Sequence, residues 1–384
     1  MGAVTSPPIG RFPLSNPAAV SVFRALLAHG PVSRGDIARH TGLSAGAVTK
    51  AVRPLLAAGL LEEGEAEFFG SGRPVRNLQV RPDAATFAGI KLTDTEIIAA
   101  LATFSGASIS ATRAQLETSD VDQVVQALAA VLEELTAGTD VAALCVTLSG
   151  DVDREHGLVR FSPFLHWEGI PLAQLVEQHT GIPTVIENDV RALTLTEAGA
   201  IDGLGVTPLV VVTIGAGIGC GIVIDGEPLI GAHGVSGELG HLPVGPDDVE
   251  CYCGGRGCLE AIASERAIER ALGGITAAEA AEAARHGNRQ AQQVFQQAGT
   301  ALGKGLAALA NLVGPRRILV LGEAVTRFDL LDAHVRQAFN QQAYGAAQNA
   351  EILVRGHSFD HWALGACAVA RDALLDGDLR IPSR

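Results

Sequence analysis

Three of the six cysteines in the chain, Cys251, Cys253 and Cys258, fall within one short glycine-rich stretch, and His241 stands ten residues before the first of them. No other segment limits the local fold so tightly. Three thiolates and one imidazole make the donor set of a tetrahedral zinc site, and Gly254, Gly255 and Gly257 let the backbone wrap closely around an ion. Four protein ligands leave no open position, so the expected zinc is structural. Buried free thiols beside an unrelated histidine would explain the clustering less well. Cys145, Cys220 and Cys367 stand alone in apolar or glycine-rich surroundings and read as buried thiols, with no disulfide framework.

Around this cluster the pattern is α/β. From Ala84 onward, strands alternate with helices. Phe87–Leu92 and Ile97–Phe104 read as a hairpin, residues 121–136 as an amphipathic helix, and Val141–Leu148 as an apolar strand. A second cycle follows: a hairpin from Leu209–Ile214 and Gly221–Ile224 around a glycine-rich turn, a long helix near 290–312, and a strand at Ile318–Leu321. Two such halves predict two lobes with a cleft between them.

The first 82 residues differ. Asn16, Ser33 with Asp36, and Ser44 are capping signals for three short helices, which Gly30-Pro31, Thr41-Gly42 and Gly59 separate and close. Leu60-Leu61 and Phe68-Phe69 read as strands of a small hairpin that returns through Gly72-Arg73-Pro74. Pro54 inside the third helix predicts a kink. Charge divides at the same place. The net charge is −14 overall, yet residues 1–82 carry nine Lys/Arg against five Asp/Glu, and the remainder carries 19 against 37. A basic module on an acidic body fits DNA reading, with the body kept off the duplex. On the third helix Ser44, Ala45, Thr49, Lys50 and Arg53 would face base edges or phosphate, and Arg73 could enter a minor groove. A three-helix protein-interaction bundle is the alternative. No apolar run reaches the roughly 18–20 residues of a membrane span, and residues 1–17 lack a secretion-signal layout, so a cytoplasmic location is expected.

Further polar candidates lie in the α/β part. Glu187-Asn188-Asp189 follows an apolar strand, where a carboxylate beside an amide suits sugar hydroxyls. There Asp189 would be the base of a kinase, or either residue a plain helix cap. Glu238 and Glu260 bracket the cysteine cluster as hydroxyl acceptors or as ordinary surface residues. Gly215, Gly217 and Gly219 form a turn that could cradle phosphate or simply close a hairpin.

Taken in order, these pieces resemble the ROK family, which groups sugar kinases with repressors such as those for xylose and N-acetylglucosamine. The resemblance runs from about Asn16 to the C-terminus. It rests most specifically on Gly240-His241, Cys251-x-Cys253-Gly-x-x-Gly-Cys258-x-Glu260, Glu187-Asn188-Asp189, and Thr41-Gly42-Leu43-Ser44 with Gly72-Arg73-Pro74. It implies a winged helix-turn-helix over 1–82. A two-lobed, actin-like (ribonuclease H-like) effector and oligomerisation domain would cover 83–384. Zinc would sit on His241, Cys251, Cys253 and Cys258, and a monosaccharide on Asn188, Asp189, Glu238, His241 and Glu260. A homodimer or homotetramer would read operator DNA.

The departures from the kinase pattern are informative. Where family kinases carry Asp-x-Gly-Gly-Thr, this chain has Lys91-Leu92-Thr93-Asp94-Thr95. The acidic residue is a lysine, and Thr93 and Asp94 replace both glycines. A lysine cannot support magnesium, and Asp94 would repel phosphate. Leu321-Gly322-Glu323-Ala324 lacks the second glycine usual near the adenosine, and Asp151 stands where a proline is usual. The expectation is a sugar-responsive repressor without kinase activity. An active ATP-dependent sugar kinase with an accessory DNA module is the alternative.

Overall fold

The computed structural model describes residues 16–67, 75–202, 207–356 and 360–379. The N-terminal module holds helices α1 (Pro17–His29), α2 (Arg34–Thr41) and α3 (Ala45–Ala57), with strands β1 (Val32–Ser33), β2 (Leu61–Glu67) and β3 (Val75–Val80) in the order β1-β3-β2. Each helix starts where its sequence says. Asn16 Oδ1 accepts from the Ala18 N–H, Ser33 and Asp36 form a reciprocal capping box, and Ser44 Oγ accepts from the Ala47 N–H. Gly42 closes α2 in the left-handed conformation at φ 69°. The third helix runs on through the exposed Pro54 to Ala57. Phe68, Phe69 and Arg73 lie outside the described residues.

The chain divides into two compact units. One takes Met1–Gly199 and Phe359–Arg384, the other Ala200–Ser358. The first holds the helical module together with β4 (Thr86–Leu92), β5 (Glu96–Thr103), β6 (Ser108–Gln115), α4 (Val121–Leu135) and β7 (Val141–Leu148). There follow a small sheet of β8 (Asp151–Asp153), β9 (Leu158–Ser162) and β10 (Trp167–Ile170), then α5 (Leu172–Thr180), β11 (Thr184–Asn188) and α6 (Asp189–Asp202). The second holds β12 (Leu209–Ile214), β13 (Ile218–Ile224), β14 (Glu227–Pro228), α7 (Glu260–Ala263), α8 (Glu265–Ala271), α9 (Ala277–Arg285), α10 (Arg289–Val313), β15 (Arg317–Leu321), α11 (Asp332–Gln342) and β16 (Glu351–Val354). Helix α12 (Asp360–Asp376) returns to the first unit.

The duplication read in the sequence is present in the sheets. In the first unit the strand order is β11-β7-β4-β5-β6, and in the second, read from the other edge, it is β16-β15-β12-β13-β14. Both run two antiparallel pairings outward from the first strand and two parallel pairings inward. Buried β4, β7 and β12 are near-continuous apolar runs, as strands covered on both faces must be. One expectation needs correcting. Gly219, read as part of the turn, lies within β13 with Gly221; this strand pairs with β12 up to Ile214 and Ile218, so the turn itself is only residues 215–217. The ladder's hydrogen bonds claim those glycine backbones.

Within the first unit, α1 does not stand apart from the α/β part. Ala19, Val22, Phe23 and Leu26 join one apolar core with Phe87, Phe104 and the α12 residues Ala363, Ala366, Val369 and Ala370. The Phe23 and Phe104 rings are 4.7 Å apart, Phe104 meets Phe87 edge-on at 5.1 Å, and Arg24 pairs with Asp376 at 2.6 Å. Aromatic pairs of this kind contribute about 0.5–1.5 kcal/mol beyond the area they bury.

Candidate metal centre and effector residues

The loop between β14 and α7 has little regular structure, and its own backbone bonds shape it. The Cys251 N–H donates to the Gly255 carbonyl at 2.9 Å, and the Gly254 N–H returns to the Cys251 carbonyl at 3.0 Å. Single bridges tie Pro243 to Cys258 and Glu250 to Arg256. Gly254 and Gly257 turn at φ 86° and 67°, and a side chain on Gly257 would press on the Gly245 and Pro246 carbonyls. The result brings one donor atom from each of His241, Cys251, Cys253 and Cys258 within 4.8 Å of all the others.

The donor set fits zinc. Bonds of about 2.3 Å to sulfur in a tetrahedron give ligand–ligand edges of about 3.8 Å. Cys253 Sγ and Cys258 Sγ are 3.8 Å apart, and Cys251 Sγ is 3.7 Å from His241 Nδ1. Nδ1 therefore faces the sulfurs, while Nε2 lies 3.3 Å from the Tyr252 hydroxyl. Burial pushes the Cys258 thiol up to about 12 and raises that of Cys251. At Cys253 burial also raises the thiol, but the Gly255 N–H donating to Sγ at 3.4 Å helps to outweigh it. Three adjacent thiolates need a cation among them.

Two carboxylates stand beside this centre. Glu260 is buried at the start of α7, and its Oε2 accepts from the Ile218 N–H at 2.7 Å, which ties the loop to the first residue of β13. Gly240 lies against the same group: a side chain there would meet the Ile218 carbonyl and Glu260. Partial burial, the charge and hydrogen bonding of Glu260, and the charges of Cys251 and Glu238 all push the Tyr252 phenol upward. Glu238, Glu260, His241 and Tyr252 thus form one cluster within the second unit. Sequence reasoning missed Tyr252, although its place between two of the cysteines could have pointed to it.

Asn188 and Asp189 sit in the first unit, at the junction of β11 and α6. Asn188 Oδ1 accepts from the Arg191 N–H at 3.1 Å, and its Nδ2 donates to the Gly150 carbonyl at 3.1 Å. Its amide is therefore a helix cap as well as a candidate ligand. The neighbouring Glu187 is buried between Arg191 at 2.9 Å and Arg154 at 3.5 Å. Asp189 is 2% exposed. Its Oδ2 accepts from Ser149 Oγ at 2.7 Å and also from the ammonium of Lys91, and its Oδ1 accepts from the Val190 N–H at 2.8 Å. The lysine that departs from the kinase pattern thus lies directly on the carboxylate that would have been the base.

The turns of the two large hairpins are filled from within. Thr93 Oγ1 accepts from the N–H groups of Thr95 at 3.2 Å and Glu96 at 2.8 Å, so a side chain bonds to amides of the first turn; Asp94 lies at its tip. In the second turn Gly215 donates to the Gly217 carbonyl at 3.0 Å, and the Glu323 carboxylate occupies the space a side chain on Gly215 would need.

On α3, Ser44, Ala45, Thr49, Lys50 and Arg53 are all exposed, while Val48, Ala51, Val52 and Leu55 pack inward. Ser44 Oγ is spent on the cap and Thr49 Oγ1 donates to the Ala45 carbonyl at 2.9 Å. Arg34, Arg39 and Arg81 in the same module are paired with Glu63, Asp36 and Asp83. Among the described residues Lys50 and Arg53 have no such acidic partner.

The ROK family model matches residues 87–373, and a MarR family model matches residues 16–67. The chain belongs to the ROK family. It is 30% identical to the DNA-binding transcriptional repressor Mlc of Escherichia coli over 94% of this chain and 95% of that one. A solved structure of a ROK family transcriptional regulator, a homolog of the E. coli Mlc protein, superposes with a TM-score of 0.79 at 28% identity, covering 94% of this chain and 96% of the other. A ROK glucokinase from Streptomyces griseus, solved with glucose and AMPPNP, gives 0.67 at 29% identity. It covers all of the kinase but 75% of this ROK chain.

Proposed function

We propose that this ROK protein is a sugar-responsive transcriptional repressor that binds operator DNA through its winged helix-turn-helix and is released when a sugar binds. The observation that carries this reading is the pairing, in one chain, of an N-terminal module with an exposed basic third helix and a His/Cys3 loop that clusters Glu238, His241 and Glu260. Zinc would be held by His241, Cys251, Cys253 and Cys258. When bound it cross-links the loop and keeps the thiolates ionised, with no free position for chemistry. The residues proposed as sugar-hydroxyl acceptors are, within the second unit, Glu238, His241 and Glu260, and, within the first, Asn188 and Asp189. Carboxylates and amides fixed by other bonds suit neutral polyol hydroxyls, because each hydroxyl donates and the acceptors need no reorganisation.

Ser44, Ala45, Thr49, Lys50 and Arg53 are the proposed DNA contacts, with Arg73 in the hairpin return. Paired modules in a homodimer or homotetramer would read two half-sites. Because α1 shares its core with Phe104 and α12, a rearrangement within the first unit on sugar binding would reach the DNA-reading helices. Coupling between such sites is typically about 1–3 kcal/mol.

The alternative is phosphorylation of the sugar, and three features speak against it. Lys91 rests on Asp189, and a carboxylate bound to an ammonium is a poor proton acceptor. Thr93 bonds to amides of the first turn. Glu323 sits against the second turn and would repel a phosphate. Fluorescence anisotropy on a duplex that the protein selects from random DNA, titrated with hexoses, pentoses and N-acetylated hexosamines, tests the reading. At least one sugar should lower DNA affinity about tenfold or more. Equal affinity with every sugar, or sugar-dependent ATP consumption, would overturn it.

A further inference from the structure

Lys91 is more than a lost acidic residue. It lies on β4 with Phe87 and Gly89 on the face toward α12, where Gly89 meets the Ala363 carbonyl and the Trp362 ring stands 4.8 Å from the Lys91 Nζ. The lysine is 7% exposed and Asp189 is 2% exposed. In the sheet β7 separates β4 from β11, so the ammonium reaches past a strand end to the carboxylate at the head of α6. Neither charge would be tolerated there alone. Yet a buried ion pair often stabilises a fold no more than apolar residues of similar volume would. The pair therefore needs another reason, and the geometry supplies it. With Lys91 and Ser149 on Oδ2 and the Val190 N–H on Oδ1, the carboxylate is fixed in orientation and Oδ1 keeps capacity to accept another hydrogen bond.

We propose that Lys91 is a positioning residue of the effector site, a built-in cation that holds the buried Asp189 carboxylate as a passive acceptor for a sugar hydroxyl. The proposal rests on the reading of Asp189 as a sugar ligand. Lys91 touches no sugar itself; it replaces what would otherwise be an acidic side chain with the counter-ion its neighbour needs.

The test uses the full-length protein and operator release by whichever sugar acts on the wild type. Lys91→Met keeps the stem and removes the charge. It should bind operator within about twofold of wild type without sugar, yet need about tenfold more sugar for half-release. Lys91→Arg, which restores a cation, should recover most of that loss, a rescue that a merely space-filling role would not give. Should Lys91→Met fail to fold, Lys91→Gln keeps a donor to Asp189 without the charge and should shift half-release about threefold. Asp189→Ala separates the two claims. If Asp189→Ala is silent to sugar while Lys91→Met, or Lys91→Gln in its place, responds as wild type, the proposal for Lys91 is wrong and the site reading stands. If Asp189→Ala responds normally, the site reading fails and the proposal with it.

Discussion

The two five-stranded sheets of this protein have the same strand order and the same pairing sense, and their matching positions have come to hold different chemistry. Lys91 is the next-to-last residue of β4, opposite Ile98 and Thr147. Thr213 is the next-to-last residue of β12, opposite Gly219 and Leu321. Both are buried. In the first sheet the position carries an ammonium committed to Asp189, and the following turn is closed by Thr93. In the second the glycines remain and the turn is backed by Glu323. Topology is maintained by apolar strand interiors, which tolerate little change. The strand ends can differ, because the ladder does not depend on the side chains they carry.

The comparison can be strained at several points. The largest effect should come from the second unit's metal loop. Cys258→Ala removes one of the four proposed zinc donors, and should cost more than about 4 kcal/mol in urea unfolding, together with the sugar response. Next is Lys91→Ala in the first unit. It strands a buried carboxylate and should lower stability by about 3 kcal/mol, whereas removing both charges with Lys91→Met and Asp189→Asn should cost far less. A double-mutant cycle in denaturant would measure the difference. Glu238→Ala should leave operator affinity unchanged and weaken the sugar effect by about 1.5 kcal/mol, roughly a factor of ten. Smallest in free energy, Lys50→Ala should reduce operator affinity and lower the slope of log affinity against log salt by about one.

Much of this was legible in the residues. Val141–Leu148 is a strand with those bounds, and the long helix near 290–312 is Arg289–Val313. The caps at Asn16, Ser33 and Ser44 all form, since they depend only on bonds between residues at most three apart. The four candidate donors come together through the backbone bonds of a glycine-rich loop. What was hidden is non-local. Nothing in the local pattern pairs Lys91 with Asp189, 98 residues on, or places Phe23 against Phe104 and α12. The start of β13 at Ile218 was missed because Gly219 signals a turn, while the ladder to β12 overrides that preference. Tyr252 carries no local signal of its own; only the fold of the loop turns its hydroxyl toward His241.

The account turns on the His241, Cys251, Cys253 and Cys258 loop being a metal-tied platform for the neighbouring carboxylates. Elemental analysis of full-length protein, purified without chelator and without an affinity tag that binds metal, addresses that claim directly. The account predicts about one zinc per chain, matching the four-ligand site. Protein that is folded, responds to its sugar and contains no zinc would contradict it.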